Sequence, residues 1–522
     1  MCATRPGPAS AGTARMSRRS LLMAGAGAAG ATLVGCGTPL VGAAGGVAPA
    51  EPAAATNTAP IAGAAAAGLG AGGQAFSAAD LAHAERLRDA ALGDATAWQL
   101  LQSLCNDVGA RPAGSAADAQ AVAWAQAAMR RLDLTQVRAE GFAMRAWVRG
   151  PATARLLAPV PQDLVMAALG NSVAAPAAGI EADIAWYDSL AALRADTSTR
   201  ALGRVVFIDE KMERFRDGRG YGPAVGARNN GAIEAAKRGA LALGIRSIGT
   251  DRERIAHTGA MRYEIGVPRI PAFAISVPDA DALAALHAQG QTLRLQLKLQ
   301  AQSDVDTRSH NVIGEVPGTD LAHEIVLISA HLDSWDLGQG ALDNGAGVAI
   351  VTAAAALLQR LNLQHQLRAR RTVRVVLFGN EENGFDGARH YGDRYGAVTH
   401  QWVGESDFGA GRVWQMKSRV NPAALPLAQQ MTQLLAPLGV AWPTDGFNTG
   451  NPGPDAALLM RRHKWPALQL SQDGTHYFDV HHTVHDTLDR VDPATLPQNV
   501  ACWAVTAWLA AQAPVGFGPI NL

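Results

Sequence analysis

Residues 325–361 read IVLISAHLDSWDLGQGALDNGAGVAIVTAAAALLQRL, and the order of their parts decides the fold. The opening run, Ile325 to Ile328, is apolar and β-branched, the pattern of a buried strand. The closing run, Gly345 to Leu361, is apolar and alanine-rich over a length that suits a helix. Between them stand His331, Asp333, Asp336 and Asp343. Ligands in an open α/β sheet gather where strands end and helices begin. A histidine with three carboxylates offers the nitrogen and oxygen donors that hard or borderline metals take. Taken alone, the stretch reads equally well as a polar surface turn, where Asp and Asn are common.

Three further clusters change that balance. A second apolar run, Val373 to Phe378, leads into Asn380-Glu381-Glu382. Adjacent glutamates at a strand end repel each other, so a cation is expected beside them. Glu405-Ser406-Asp407 follows another short apolar run, and His481-His482-Thr483-Val484-His485-Asp486-Thr487 lies near the C-terminus. Four strand ends, all rich in metal ligands, are hard to reconcile with solvated loops. From Arg308 onward strands and helices alternate, the pattern of an α/β domain with a mixed, mostly parallel sheet covered by helices.

With these residues in place, the chain resembles the co-catalytic di-zinc metallo-exopeptidases, in their carboxypeptidase Q-like (plasma glutamate carboxypeptidase-like) branch. The motifs that carry the resemblance are His331-Leu332-Asp333-Ser334-Trp335-Asp336, Gly338-Gln339-Gly340-Ala341-Leu342-Asp343, Asn380-Glu381-Glu382, Glu405-Ser406-Asp407, and His481-His482 with Asp486-Thr487. Ser-Trp-Asp and Gly-Gln-Gly are the most specific to that branch. The resemblance runs from about Ala79 to the C-terminus. One departure is Asn344, where many relatives carry a second aspartate; it is expected to be tolerated because Asp343 matches the bridging ligand.

The resemblance implies two Zn²⁺ ions per chain, sharing a hydroxide that attacks the peptide carbonyl. It assigns Asp343 as the bridging ligand, His331 and Asp407 to one ion, and Glu382 and His482 to the other. His482 is preferred to His481 and His485 because the family spacing is His-Thr-x-x-Asp-Thr; His481 and His485 are read as polar surface or supporting residues. Glu381 is the implied general base and acid. Asp333 is expected to orient His331, Asp486 to support the site or touch substrate, and Tyr477 either to donate to the oxyanion or to pack as an aromatic. Asp336 is read as a turn cap as readily as a site residue.

The resemblance also implies the zinc exopeptidase fold, with helices sandwiching the sheet and a mainly-β protease-associated domain inserted. The expected divisions are a signal at 1–36, a flexible tether at 37–77, an opening helical part of the catalytic domain at 78–149, the insert at 150–302 and the main catalytic domain at 303–522. At 522 residues, more than one domain is expected. Helices are read at the start, where Leu81, Ala84, Leu87 and Ala91 recur at helical spacing, and again from Ala116 to Leu132. Strands are expected at Ala182 to Trp186, Arg204 to Ile208, Ser247 to Ile248 and Ala272 to Val277, with one helix from Gly231 to Leu241. Arg216, Arg219, Tyr221 and Arg228-Asn229-Asn230 have two readings, as residues that reach the active site and as a solvated loop, and the loop is preferred.

The N-terminus carries its own message. Ser17-Arg18-Arg19-Ser20-Leu21-Leu22-Met23 resembles a twin-arginine signal, followed by an apolar small-residue run. Leu33-Val34-Gly35-Cys36 resembles a lipoprotein cleavage box, with Cys36 the lipidated residue. Either Met1 or Met16 serves as the start. The expectation is an exported, lipid-anchored protein of the cell envelope on the outer-membrane or periplasmic side, with 37–77 as a spacer. No uninterrupted apolar span suits a mature membrane helix. Cys105 and Cys502 are read as two separate buried thiols.

Lys+Arg and Asp+Glu balance at 45 each, so net charge implies no nucleic-acid partner. The expected partner is a peptide or dipeptide substrate, and a homodimer is left open. The sequence points to a zinc exopeptidase acting on unblocked dipeptides or short peptides. Rivals to this reading are a single-zinc acyl-transfer relative of the glutaminyl cyclase kind and a non-catalytic surface lipoprotein that binds a peptide.

Overall fold

A computed structural model describes residues 75–444 and 448–521. The signal, Cys36 and nearly all of the tether lie outside the described residues.

Four parallel strands form the centre of the main layer. They lie in the order Ala467–Gln472, His400–Glu405, Leu321–His331 and Arg371–Phe378. Arg371–Phe378, His400–Glu405 and the Ile325–His331 part of Leu321–His331 are buried throughout, as in strands covered on both faces. Antiparallel strands flank them, Val413–Arg419 on one side and Arg294–Val316 on the other.

The helix Ala346–Gln364 lies against this sheet. Within the helical stretch Ala341–Gln364, the most apolar 18-residue window has a mean hydropathy of 1.6, enough to cross a membrane, yet that window is wholly buried inside the protein. Its alanines admit close neighbours: Leu496–Gln512, Thr96–Asp107 and Ala78–Ala91 all pack on it. The expected helix from Ala116 appears as Ala116–Arg131. Cys105 and Cys502 are both buried free thiols, as read.

Two long strands, Thr135–Ala158 and Arg294–Val316, pair antiparallel along most of their lengths. They continue from the main layer into a second one, so the chain passes through both expected insert boundaries inside continuous strands. The second layer adds parallel strands Ile180–Tyr187, Val205–Ile208, Ala242–Arg246 and Ala272–Ile275, closed by antiparallel Met166–Ala168. It encloses its own apolar clusters.

This layer is α/β rather than mainly β. It holds the helices Leu190–Ala195, Tyr221–Lys237 and Val277–Ala288. The middle helix starts ten residues earlier than its apolar pattern suggests, because the stretch YGPAVGARNNG buries small residues that give little hydrophobic contrast. The strand expected at Ser247 to Ile248 ends one residue before it, at Arg246.

Candidate active site

All four central strands deliver polar residues to one edge of the sheet. His331 is the last residue of Leu321–His331, and Asn380-Glu381-Glu382 follows Arg371–Phe378. The pairing of Phe378 beside His331 fixes the relative heights of these two groups. Asp407 lies two residues beyond the end of His400–Glu405, and the loop after Ala467–Gln472 carries Tyr477, His481 and His482.

Asp343 sits at the middle of this edge, 4% exposed. Its Oδ1 is 3.1 Å from His331 Nε2, and its Oδ2 is 3.1 Å from His482 Nε2. The two oxygens therefore face two different histidines. His331 Nε2 is 3.4 Å from Asp407 Oδ1, and His482 Nε2 is 3.1 Å from Glu382 Oε2. The five residues expected as ligands thus converge on Asp343. Ligand atoms of His331, Asp343 and Glu382 lie within 4.8 Å of one another, as do those of Asp343, His481 and His482.

The electrostatics call for cations. Burial pushes Glu381 well above the usual carboxylate range; His331 opposes this, and neighbouring Asp407 and Glu382 add to it. Glu382 is pushed up to about 7 by burial and by Asp343. His482 would be lowered by burial, but Glu382 and Asp343 outweigh it and hold the imidazole up to about 9. Glu382 Oε1 is buried without a hydrogen-bond partner. So dense a group of carboxylates, one with an orphaned oxygen, fits divalent cations, and imidazole with carboxylate is a donor set that zinc accepts.

Supporting residues hold the ligands by their backbones. Asp333 orients His331, as expected: its carbonyl accepts from His331 Nδ1 at 3.0 Å, and its carboxylate lies 3.8 Å from the same nitrogen. The carboxylate also accepts the backbone N–H groups of Glu381 and Glu382, at 3.1 and 3.4 Å. Asp486 accepts from the backbone of Leu342 and Asp343, at 2.6 and 3.1 Å. Asn344 donates to the Ser406 carbonyl at 2.9 Å and accepts from Gly347 at the start of the core helix. An ionised aspartate has no proton for the first bond, which gives the departure a local reason.

Other expectations sort differently. Asp336 is an ion-pair partner of Arg149 at 2.8 Å, tying the ligand loop to the long strand Thr135–Ala158. His485 pairs with Glu253 near the surface, as read. His481 is not a surface residue: it is 6% exposed and stacks on His482 with ring centres 3.5 Å apart. Tyr477 lines the same cavity and packs against His481.

The sequence reading missed four contributions. Thr258, from the second layer, accepts from His482 Nδ1 at 3.3 Å, and its own N–H donates to the His482 carbonyl at 3.0 Å. His257 donates from Nδ1 to the His481 carbonyl at 2.7 Å and is held at Nε2 by Asp251. Glu405 lies behind the site, where its Oε2 accepts the Ala456 N–H at 3.0 Å and where burial and the fully buried Asp455 push its carboxyl up; Asp455 is itself pushed up by burial and by Glu381. Tyr221 and Arg228 are not a solvated loop: both line the cavity, about 1020 Å³ in volume, that holds Asp343, Glu381 and Glu382. Glu405 carries a signal as the neighbour of Asp407 in a quoted motif, and Tyr221 and Arg228 stand among the residues for which active-site reach is one of two readings.

Comparison with known proteins adds independent findings. Residues 311–507 match Peptidase family M28. Carboxypeptidase Q of Xenopus laevis is 33% identical over 416 residues, covering 79% of this chain and 85% of that protein. The crystal structure of a peptidase M28 precursor from Shewanella amazonensis superposes with a TM-score of 0.81 at 43% identity, covering 85% of this chain and 99% of that one. The zinc aminopeptidase of Bacillus subtilis shares the fold, with a TM-score of 0.56 at 19% identity over 81% of this chain and 97% of that one.

Proposed function

We propose, from the premise that the chain belongs to peptidase family M28 and is a metallopeptidase, that it cleaves unblocked dipeptides and short peptides with two Zn²⁺ ions bound at Asp343. The observation that carries the reading is the placement of the two Asp343 oxygens, each 3.1 Å from a different histidine. His331 and Asp407 would hold one ion, Glu382 and His482 the other, with Asp343 offering one oxygen to each. His482 is favoured over His481 because its Nε2 reaches both Asp343 and Glu382, while its Nδ1 is already committed to Thr258.

Bound zinc supplies a Lewis acid that polarises the peptide carbonyl and makes water acidic. The chain's own residues do the rest. Glu381 lines the cavity and takes the proton of the attacking water, then passes it to the leaving amine. Tyr477 stands on the cavity wall, where its phenol donates to the carbonyl oxygen as charge develops there. Asp333 and Asp486 fix the backbone of Glu381, Glu382 and Asp343, so the side chains are presented in a set geometry. Zinc stoichiometry of the purified protein, measured with turnover of dipeptides and aminoacyl amides, tests the whole reading. Two zinc per chain and hydrolysis are expected; one zinc with cyclising activity would favour the acyl-transfer alternative.

The same proposal includes export and lipid anchoring at Cys36, supported by the twin arginines and the Leu33-Val34-Gly35-Cys36 box. Cys36→Ala is expected to release the protein from the membrane fraction or to block its processing. Unchanged fractionation together with unchanged mature mass would count against lipidation.

A further inference from the structure

Arg228 lies in the helix Tyr221–Lys237 of the second layer, not on a surface loop. It is 7% exposed and lines the active-site cavity. Among the described residues no carboxylate lies within ion-pair distance of it. Its guanidinium donates to Tyr221 Oη at 2.6 Å and, weakly, to the Thr258 carbonyl at 3.4 Å, and its Nε has no hydrogen-bond partner. A guanidinium has five N–H donors in a planar fork suited to a carboxylate, so three are uncommitted here. A buried cation without an anion is costly, and nothing among the described residues supplies one.

The group is held for use. Tyr221 stacks on Phe478 and meets His481 edge-on, with ring centres 4.9 and 5.4 Å apart. The Arg228 guanidinium carbon is 5.5 Å from the Tyr221 ring. Gly259 lies flat against the guanidinium; a Cβ there would come within 2.2 Å of it. One tyrosine ring thus separates Arg228 from the stacked pair His481 and His482. A residue adds about 3.8 Å of backbone, so an anion held one ring away from His481 comes from close to the cut bond, and the leaving residue of a dipeptide, which bears the α-carboxylate, is the nearest source of one.

We propose that Arg228 receives the free α-carboxylate of that leaving residue, so that the site selects dipeptides over longer or amidated chains. The inference rests on the peptidase reading and adds to it the residue that sets substrate length. It also gives the second layer a direct role, since Tyr221, Arg228 and Thr258 all come from it.

The test compares kcat/KM for L-alanyl-L-alanine, its C-terminal amide, and L-alanyl-L-glutamic acid α-amide. The unmodified enzyme is expected to favour the free acid by at least about 10-fold, in line with a charge-assisted hydrogen bond. Arg228→Met should lower kcat/KM for the acid by roughly 10–100-fold and leave both amides nearly unchanged; Arg228→Lys should restore part of the preference. Equal rates on acid and amide by the unmodified enzyme would overturn the proposal. So would equal losses on all three compounds in Arg228→Met, or behaviour of the glutamic α-amide like the acid. Calorimetric binding of acid and amide to Glu381→Gln reads the same contact without turnover. A binding preference with no hydrolysis of any peptide by the unmodified enzyme would sink the peptidase reading and keep the carboxylate receptor.

Discussion

Glu381→Gln is expected to lower turnover by about 10²–10⁴-fold, the contribution of general acid–base catalysis, while leaving zinc content and fold intact. The two glutamates follow each other at one strand end but are differently engaged. Glu382 Oε2 is 3.1 Å from His482 and the residue is buried. The Glu381 side chain makes no hydrogen bond to a ligand histidine among the described residues and borders the cavity. Both backbone N–H groups are held by the one Asp333 carboxylate, so the change to glutamine removes a basic oxygen without loosening the turn. Glu382→Gln should behave in the opposite way, losing zinc and regaining part of its activity in excess zinc. The paired measurement is zinc stoichiometry and turnover on one good dipeptide. Loss of zinc from Glu381→Gln but not from Glu382→Gln would exchange the two roles.

Asp343→Ala is expected to empty the site, with zinc falling from two per chain to near none and activity falling at least as far as in Glu381→Gln. The reason is geometric: only this side chain faces both histidines. Removing it also leaves His331, His482 and their carboxylates buried without their common partner. His331→Ala and His482→Ala should each weaken mainly one ion. Elemental analysis decides the matter; an Asp343→Ala protein that still holds two zinc would refute the bridging role.

The strands that carry the site were legible because each is a short apolar run that stops at a polar cluster. The run ending in His331 and the one ending before Asn380 announce both their own ends and their donors. What stayed hidden depends on contacts across long stretches of chain. The second task of the Asp333 carboxylate stayed hidden because the N–H groups it accepts, 48 and 49 residues away, meet it only through the pairing of two parallel strands. His481 looked like a surface residue because its burial comes from Tyr221 and Phe478, on two different layers. The burial of Arg228 stayed hidden because glycine, asparagine and alanine around it mark no apolar stripe, which left the solvated loop the preferred of its two readings. Asp455 opens the helix Pro454–His463, where an acidic residue is ordinary, so nothing in the sequence set it apart.

On the ligand assignment proposed above, the paired hydrogen bonds between Thr258 and His482 link the second layer's stability to metal affinity. An imidazole freed at Nδ1 is a poorer and less oriented ligand. Any opening of the segment around Thr258 therefore weakens the site, and by thermodynamic reciprocity an occupied site holds that segment closed by the same factor. The second layer is in this sense a lever on zinc retention: a substitution far from every ligand, if it loosens that segment, would make the enzyme starve for metal before it unfolds.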